Sequence, residues 1–81
     1  MGQKQVAIQK YPRSIKRVIA HQIEKNLLKQ NLSKQDLAKK MQTSRAAINR
    51  ILDPSNHSIT LQTLEKVSEV LDMRLEIYFK E

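Results

Sequence analysis

Apolar residues recur at helical spacing in four stretches of the chain and alternate with polar ones in a fifth. Ile15, Val18, Ile19, Ile23 and Leu27 return every three or four residues, which predicts a first helix over about 15–30 with these side chains as its core stripe. Ser14 stands where an N-cap belongs, and Asn31 is a natural left-handed stop. Leu37, Ala38 and Met41 mark a short second helix, and Ala47, Ile48, Ile51 and Leu52 mark a third. Thr43 or Ser44 caps the third, and Pro54 ends it, because the residue before a proline is pushed out of the α region. Thr60 caps a fourth helix over about 61–72, with Leu61, Leu64, Val67 and Leu71 inward and Glu65, Glu69 and Asp72 outward. After Asp72 the period drops to two. Leu75, Ile77 and Phe79 alternate with Arg74, Glu76, Tyr78 and Lys80, the pattern of a half-buried strand.

The centre of this layout is Ser33 to Leu52, SKQDLAKKMQTSRAAINRIL. Ser33 and Asp36 have the spacing of a capping box, in which each side chain accepts from the other's backbone N–H. The small Ala38 lets the axes of the second and third helices approach closely. Once the apolar side of the third helix is turned inward, Arg45, Ala46, Asn49 and Arg50 remain outside. Two short helices with a tight turn between them, the second showing short and basic side chains outward, is the arrangement of a DNA-reading helix-turn-helix.

Charge strengthens that reading through its distribution. Residues 1–50 carry 12 Lys/Arg against 2 Asp/Glu, a charge of +10, whereas 51–81 carry 3 against 6, a charge of −3. A basic half that contains the two-helix motif is an electrostatic footprint for a polyanion. Residues 1–13 are themselves basic, with Lys4, Lys10 and Arg13. Val6 and Ile8 would allow a short strand there, but a flexible arm lying along phosphates is the expectation.

The stretch LSKQDLAKKMQTSRAAINRIL resembles the helix-turn-helix of the phage-repressor-like (XRE) DNA-binding proteins, in its leucine-serine start, its leucine-alanine pair and its serine followed by an isoleucine. The continuation, DPSNHSITLQTLEKVSEVLDMRLEIYF, resembles compact antitoxin-repressors of the HipB and HigA types, and the likeness spans roughly residues 15–79. The departure is Gln42, where the family commonly has Gly; a left-handed residue there costs about 1 kcal/mol if it is not glycine. The resemblance implies that Lys34, with Gln35 beside it, meets phosphate at the start of the first motif helix. It implies that Ser44 caps the recognition helix or bonds a phosphate, and that Arg45, Ala46 and, one turn further beside Asn49, Arg50 face the base edges. Arg suits guanine O6/N7, Asn suits adenine N6/N7, and Ala46 can rest on a thymine methyl. It further implies that the loop 53–58 touches the DNA backbone, where Ser55, Asn56, His57 and Ser58 can bond phosphate.

The expected fold is therefore all-α: a lambda-repressor-like bundle of four to five helices with a short C-terminal β-strand, the arm at 1–13 and the DNA-binding domain at 14–81. A lone strand leaves its backbone groups unpaired. Pairing with the same strand of a second subunit, through Leu75, Ile77 and Phe79, makes a homodimer; pairing with residues 5–9 is the competing solution. The expected function is a repressor that occupies an inverted-repeat operator in double-stranded DNA. The likeness to antitoxins adds a toxin protein as a partner, so a toxin-neutralising module is a second reading. A general nucleic-acid-binding module is a third, disfavoured because aromatic residues suited to stacking unpaired bases make up only 4% of the chain.

Other chemistry finds no foothold. No cysteine is present, His21 and His57 are far apart, and Gly2 is the only glycine, so no metal site, cofactor or phosphate loop is expected. No serine stands at a useful spacing from a base, and no enzymatic activity is expected. No apolar run reaches the length of a membrane helix and no signal-peptide core is visible, so a cytoplasmic protein, associated with the nucleoid when bound to DNA, is the expectation.

Overall fold

The computed structural model describes residues 15–80. The expected arm at 1–13 and the Ser14 cap lie outside them. Among the described residues are four helices: α1 (Ile15–Lys29), α2 (Lys34–Met41), α3 (Arg45–Leu52) and α4 (Leu61–Val70). Packing joins α2 to α3, α1 to α3 and α2 to α4. The α2–α3 pair thus sits at the centre, with α1 behind α3 and α4 behind α2.

Capping fixes where each element begins. Ser33 Oγ accepts from the Asp36 N–H at 3.0 Å and the Asp36 carboxylate accepts from the Ser33 N–H at 2.8 Å, so the capping box is complete. Ser44, rather than Thr43, caps α3 by accepting from the Ala47 N–H at 3.0 Å, and Thr60 caps α4 through the Thr63 N–H at 3.1 Å.

The ends of α1, α2 and α4 share one device. Asn31, Gln42 and Asp72 each adopt positive φ, at 59°, 55° and 56°. Behind each, the next residue's N–H reaches back to close the helix: Leu32 to Leu27 O at 2.8 Å, Thr43 to Ala38 O at 2.9 Å and Met73 to Ser68 O at 2.8 Å. These are Schellman ends built without glycine. The expected left-handed stop at Asn31 is present, and so is the left-handed turn at Gln42. Asp72 ends α4 two residues earlier than the expected boundary, at Val70. The third helix ends otherwise: Asp53, held extended at φ −80° and ψ 111° ahead of Pro54, allows no such closure.

The core is one cluster. Leu37, Ile48 and Leu71 are fully buried at its middle, with Ile23 and Leu27 of α1 and Val67 of α4 around them. Fully burying a side chain of this kind stabilises by about 1.5–3 kcal/mol. Two expected core positions are corrected. Ile15 and Leu61 are 60% and 63% exposed. Each is the first residue of its helix, where the Cα–Cβ bond tilts toward the N-terminus and carries the side chain off the end of the bundle. On α1 the buried face runs instead through Lys16, Ala20, Ile23 and Leu27.

The expected strand is not shown. Among the described residues there is no strand, and 73–80 lack regular structure. Ile77 and Phe79 are exposed, at 63% and 97%, and Leu75 less so, at 38%. A strand needs an edge to pair with, and the helical bundle offers none. The competing partner, 5–9, lies outside the described residues. The Arg74 guanidinium does meet the Glu76 carboxylate at 3.4 Å, so these neighbours two apart share a side, as period two requires.

Candidate nucleic-acid interface

α3 presents two faces of opposite character. Ile48, Ile51 and Leu52 are buried, while Arg45, Ala46, Asn49 and Arg50 are all exposed and share the outer face. The β-branched and leucine side chains inside hold the helix against α1 and α2, so its outer face is presented by a fixed scaffold. The Ser44 hydroxyl oxygen is occupied as the cap, which leaves its role at a phosphate to its remaining hydrogen-bonding capacity.

The start of α2 carries the next pair. Gln35 is exposed, and Lys34 is half-buried with its ammonium 4.0 Å from the Glu24 carboxylate of α1. Hydrogen bonds from Ser33, first through its backbone and then its side chain, hold the Asp36 carboxyl below the usual aspartate range, with Lys39 and Lys40 adding to the effect. A negative side chain thereby occupies the N-terminal turn of α2, where free N–H groups would otherwise welcome an outside anion.

The loop after α3 is internally bonded. Asp53 Oδ1 accepts from the Ser55 N–H at 3.0 Å and from its hydroxyl at 2.8 Å, and these bonds hold the Asp53 carboxyl below its usual range. Asn56 Oδ1 accepts from the Ser58 N–H at 2.9 Å. The Ser55 hydroxyl proton is thus directed at Asp53 rather than outward, which corrects its expected availability to phosphate. Asn56 is half-buried and His57 is exposed.

Two lysines enter that the pattern of the sequence did not single out. Lys66 of α4 is exposed and lines, with Arg50, Gln42, Thr43, Thr60 and Thr63, an open groove of about 480 Å³ between α3 and α4. Lys16 of α1 is 2% exposed, and its ammonium donates to three backbone carbonyls at the exit of α3: Arg50 O at 3.2 Å, Asp53 O at 3.0 Å and Asn56 O at 2.6 Å. Burial pulls this ammonium's pKa below the ordinary lysine range, and the Asp53 carboxylate opposes that pull. The available signal for Lys16 was its position, in step with Ala20, Ile23 and Leu27 on α1.

Among the described residues no group of three or more His, Cys, Asp or Glu is placed to hold a metal ion, and no helix is long and apolar enough to cross a membrane. A family model described as Helix-turn-helix matches residues 23–78, from the middle of α1 to the C-terminal tail. No curated protein and no solved structure matches the chain.

Proposed function

The chain belongs to the XRE-type helix-turn-helix family, and from that premise we propose that it is a sequence-specific repressor that binds double-stranded DNA as a homodimer. The observation that supports this best is the outer face of α3, where Arg45, Ala46, Asn49 and Arg50 are all exposed on a helix whose inner face is locked in the core. In this reading α3 enters the major groove, Arg45 and Arg50 read guanine and Asn49 reads adenine. Lys34 and Gln35 meet phosphate at the start of α2, Ser44 at the start of α3, and Asn56 and His57 in the following loop. These contacts set register without reading sequence. Two copies joined through Leu75, Ile77 and Phe79 hold their recognition helices about 34 Å apart, one turn of duplex, and so select an inverted repeat. Occupying such a site at a promoter excludes polymerase.

A second reading, neutralisation of a toxin protein, draws on the exposure of Ile77, Tyr78 and Phe79 together with Leu61, apolar surface that a heterologous partner could also cover. The oligomeric state of the isolated chain and capture of a co-encoded partner separate the two.

Selection of duplexes from a random pool tests the DNA reading. The wild type is expected to enrich an inverted repeat. Arg45→Ala and Arg50→Ala are expected to weaken the selected site by about 1–3 kcal/mol per half-site and to relax base preference at separate positions. Enrichment of no sequence by the wild type, or unchanged preference in both variants, would place recognition elsewhere.

A further inference from the structure

Among the described residues three helices end in left-handed closures, whereas the recognition helix ends in a single long bond, from the Asp53 N–H to Arg50 O at 3.3 Å. α1, α2 and α4 end in left-handed residues whose following N–H groups satisfy the last carbonyls. At the end of α3, Pro54 has no N–H to give, and Asp53 is held extended. The Arg50 and Asp53 carbonyls, which accept from the Asp53 N–H at 3.3 Å and the Asn56 N–H at 3.0 Å, converge with the Asn56 carbonyl on a further donor brought from α1, more than thirty residues away in sequence: the Lys16 ammonium, at 3.2, 3.0 and 2.6 Å. An ammonium carries three N–H donors and no acceptor. Three carbonyls therefore use its whole capacity, and its charge sits at the negative end of the α3 dipole.

We propose that Lys16 is a positioning residue for DNA recognition, acting as a remote cap that fixes the exit of the recognition helix and the loop 53–56 without itself touching DNA. Arg50, one of the residues proposed to read a base, is held by its own carbonyl in this cradle. The other two carbonyls belong to the loop proposed to meet phosphate. One buried cation thus sets the angle between a base-reading side chain and a phosphate-facing loop. The aliphatic stem of Lys16 does the ordinary work of a core residue beside Ala20, and the ammonium does the positioning. The proposal rests on the DNA-binding reading for its consequence, although the cradle itself is independent of it.

The test exploits the absence of cysteine from the chain. Lys16→Cys places a single thiol that can be alkylated in denaturant with bromoethylamine, which rebuilds an ammonium at nearly lysine length, before refolding. Lys16→Met keeps the stem and removes the charge. Each protein is measured at a temperature where its circular dichroism shows it fully folded, against a duplex selected by the wild type from a random pool. Amide exchange of Asp53, Ser55 and Asn56 is followed in parallel. Lys16→Met is expected to lose at least about tenfold in affinity, the scale of one charged hydrogen bond. Its dependence on salt should be unchanged, because no phosphate contact has gone. Amide exchange in the loop should accelerate. Aminoethylation of the Lys16→Cys protein should restore both affinity and protection. Full affinity in folded Lys16→Met overturns the proposal, as does a loss accompanied by a shallower salt slope, which would make Lys16 a phosphate ligand. If the wild type selects no duplex, the DNA reading fails on its own, and loop exchange unchanged in Lys16→Met and unrescued in the alkylated protein then overturns the cradle separately.

Discussion

The Lys34 ammonium stands 4.0 Å from the Glu24 carboxylate, across the gap between α2 and α1. Both side chains are partly exposed, at 41% and 49%, so water screens the pair and it adds little to stability. On the proposed DNA-binding reading its consequence lies in binding, because a carboxylate beside a lysine that meets phosphate would compete with the phosphate. Lys34→Ala is expected to weaken binding to every duplex about equally and to reduce the slope of log K against log salt by about 1 per subunit. Glu24→Gln is expected to tighten binding to every duplex by about two- to fivefold at low salt. Titrations of a selected and a scrambled duplex at several salt concentrations check both. A sequence-dependent effect of Lys34→Ala would assign that side chain to base reading.

Gln42 holds φ 55° and ψ 48° at the end of α2, in the turn of the motif. Its N–H and that of Thr43 close α2 there, so the left-handed conformation is required by the turn itself. For a residue with a Cβ this conformation costs about 1 kcal/mol, a cost glycine does not bear. Gln42→Gly is therefore expected to stabilise the fold by up to about 1 kcal/mol, less the extra freedom glycine gives the unfolded chain. Thermal unfolding of the two proteins measures it. A β-branched residue, as in Gln42→Val, is expected to destabilise by more than that amount.

Acid should loosen two hinges of the motif in the same range of pH. Asp36 and Asp53 both have carboxyl groups held below the ordinary aspartate value, by Ser33 and by Ser55 respectively. A carboxyl whose folded pKa is depressed adds stability above its unfolded value, about 3.9, and loses it as the pH falls through the lower folded value. Stability is therefore expected to be flat above about pH 5 and to fall below about pH 4. Asp36→Asn and Asp53→Asn should each make that fall shallower. Denaturant midpoints taken from pH 6 down to pH 2 give the comparison, and identical profiles for wild type and both variants would remove these carboxyls as its source.

The helices, their order and most of the caps were legible because they depend on local rules. Ser33 with Asp36, Ser44, Thr60 and the left-handed Asn31 each act within four residues of themselves. The outer face of α3 was legible for a related reason: it is whatever remains once the apolar side is turned inward. What escaped depends on distant chain. Lys16 looks like a surface lysine until three carbonyls from residues 50, 53 and 56 surround it. Ile15 and Leu61 fit their stripes by periodicity but stand where their helices outrun the core. The binding capacity of Ser55 was overread because local bonds to Asp53 compete for the same hydroxyl.

In the proposed dimer the C-terminal tail takes its structure from the copy it meets. Leu75, Ile77 and Phe79 lie exposed, with Phe79 at 97%, and the alternating pattern from Arg74 to Lys80 remains without a partner in the described chain. On that reading 74–80 would become a strand by pairing with the same segment of a second copy, since identical antiparallel strands meet across a two-fold axis. Covering each of these side chains in a dimer would contribute about 1.5–3 kcal/mol. Ile77→Asp sets a charge on that side, and it should abolish the dimer and most operator affinity together while the helical content stays that of the wild type. The core made by Ile23, Leu37, Ile48 and Leu71 lies apart from position 77, so this substitution leaves folding of the bundle as a separate observable. Sedimentation at micromolar concentration with circular dichroism on the same samples decides it. A wild type that sediments as a monomer, or an Ile77→Asp protein that remains dimeric, would move the subunit contact away from residues 74–80.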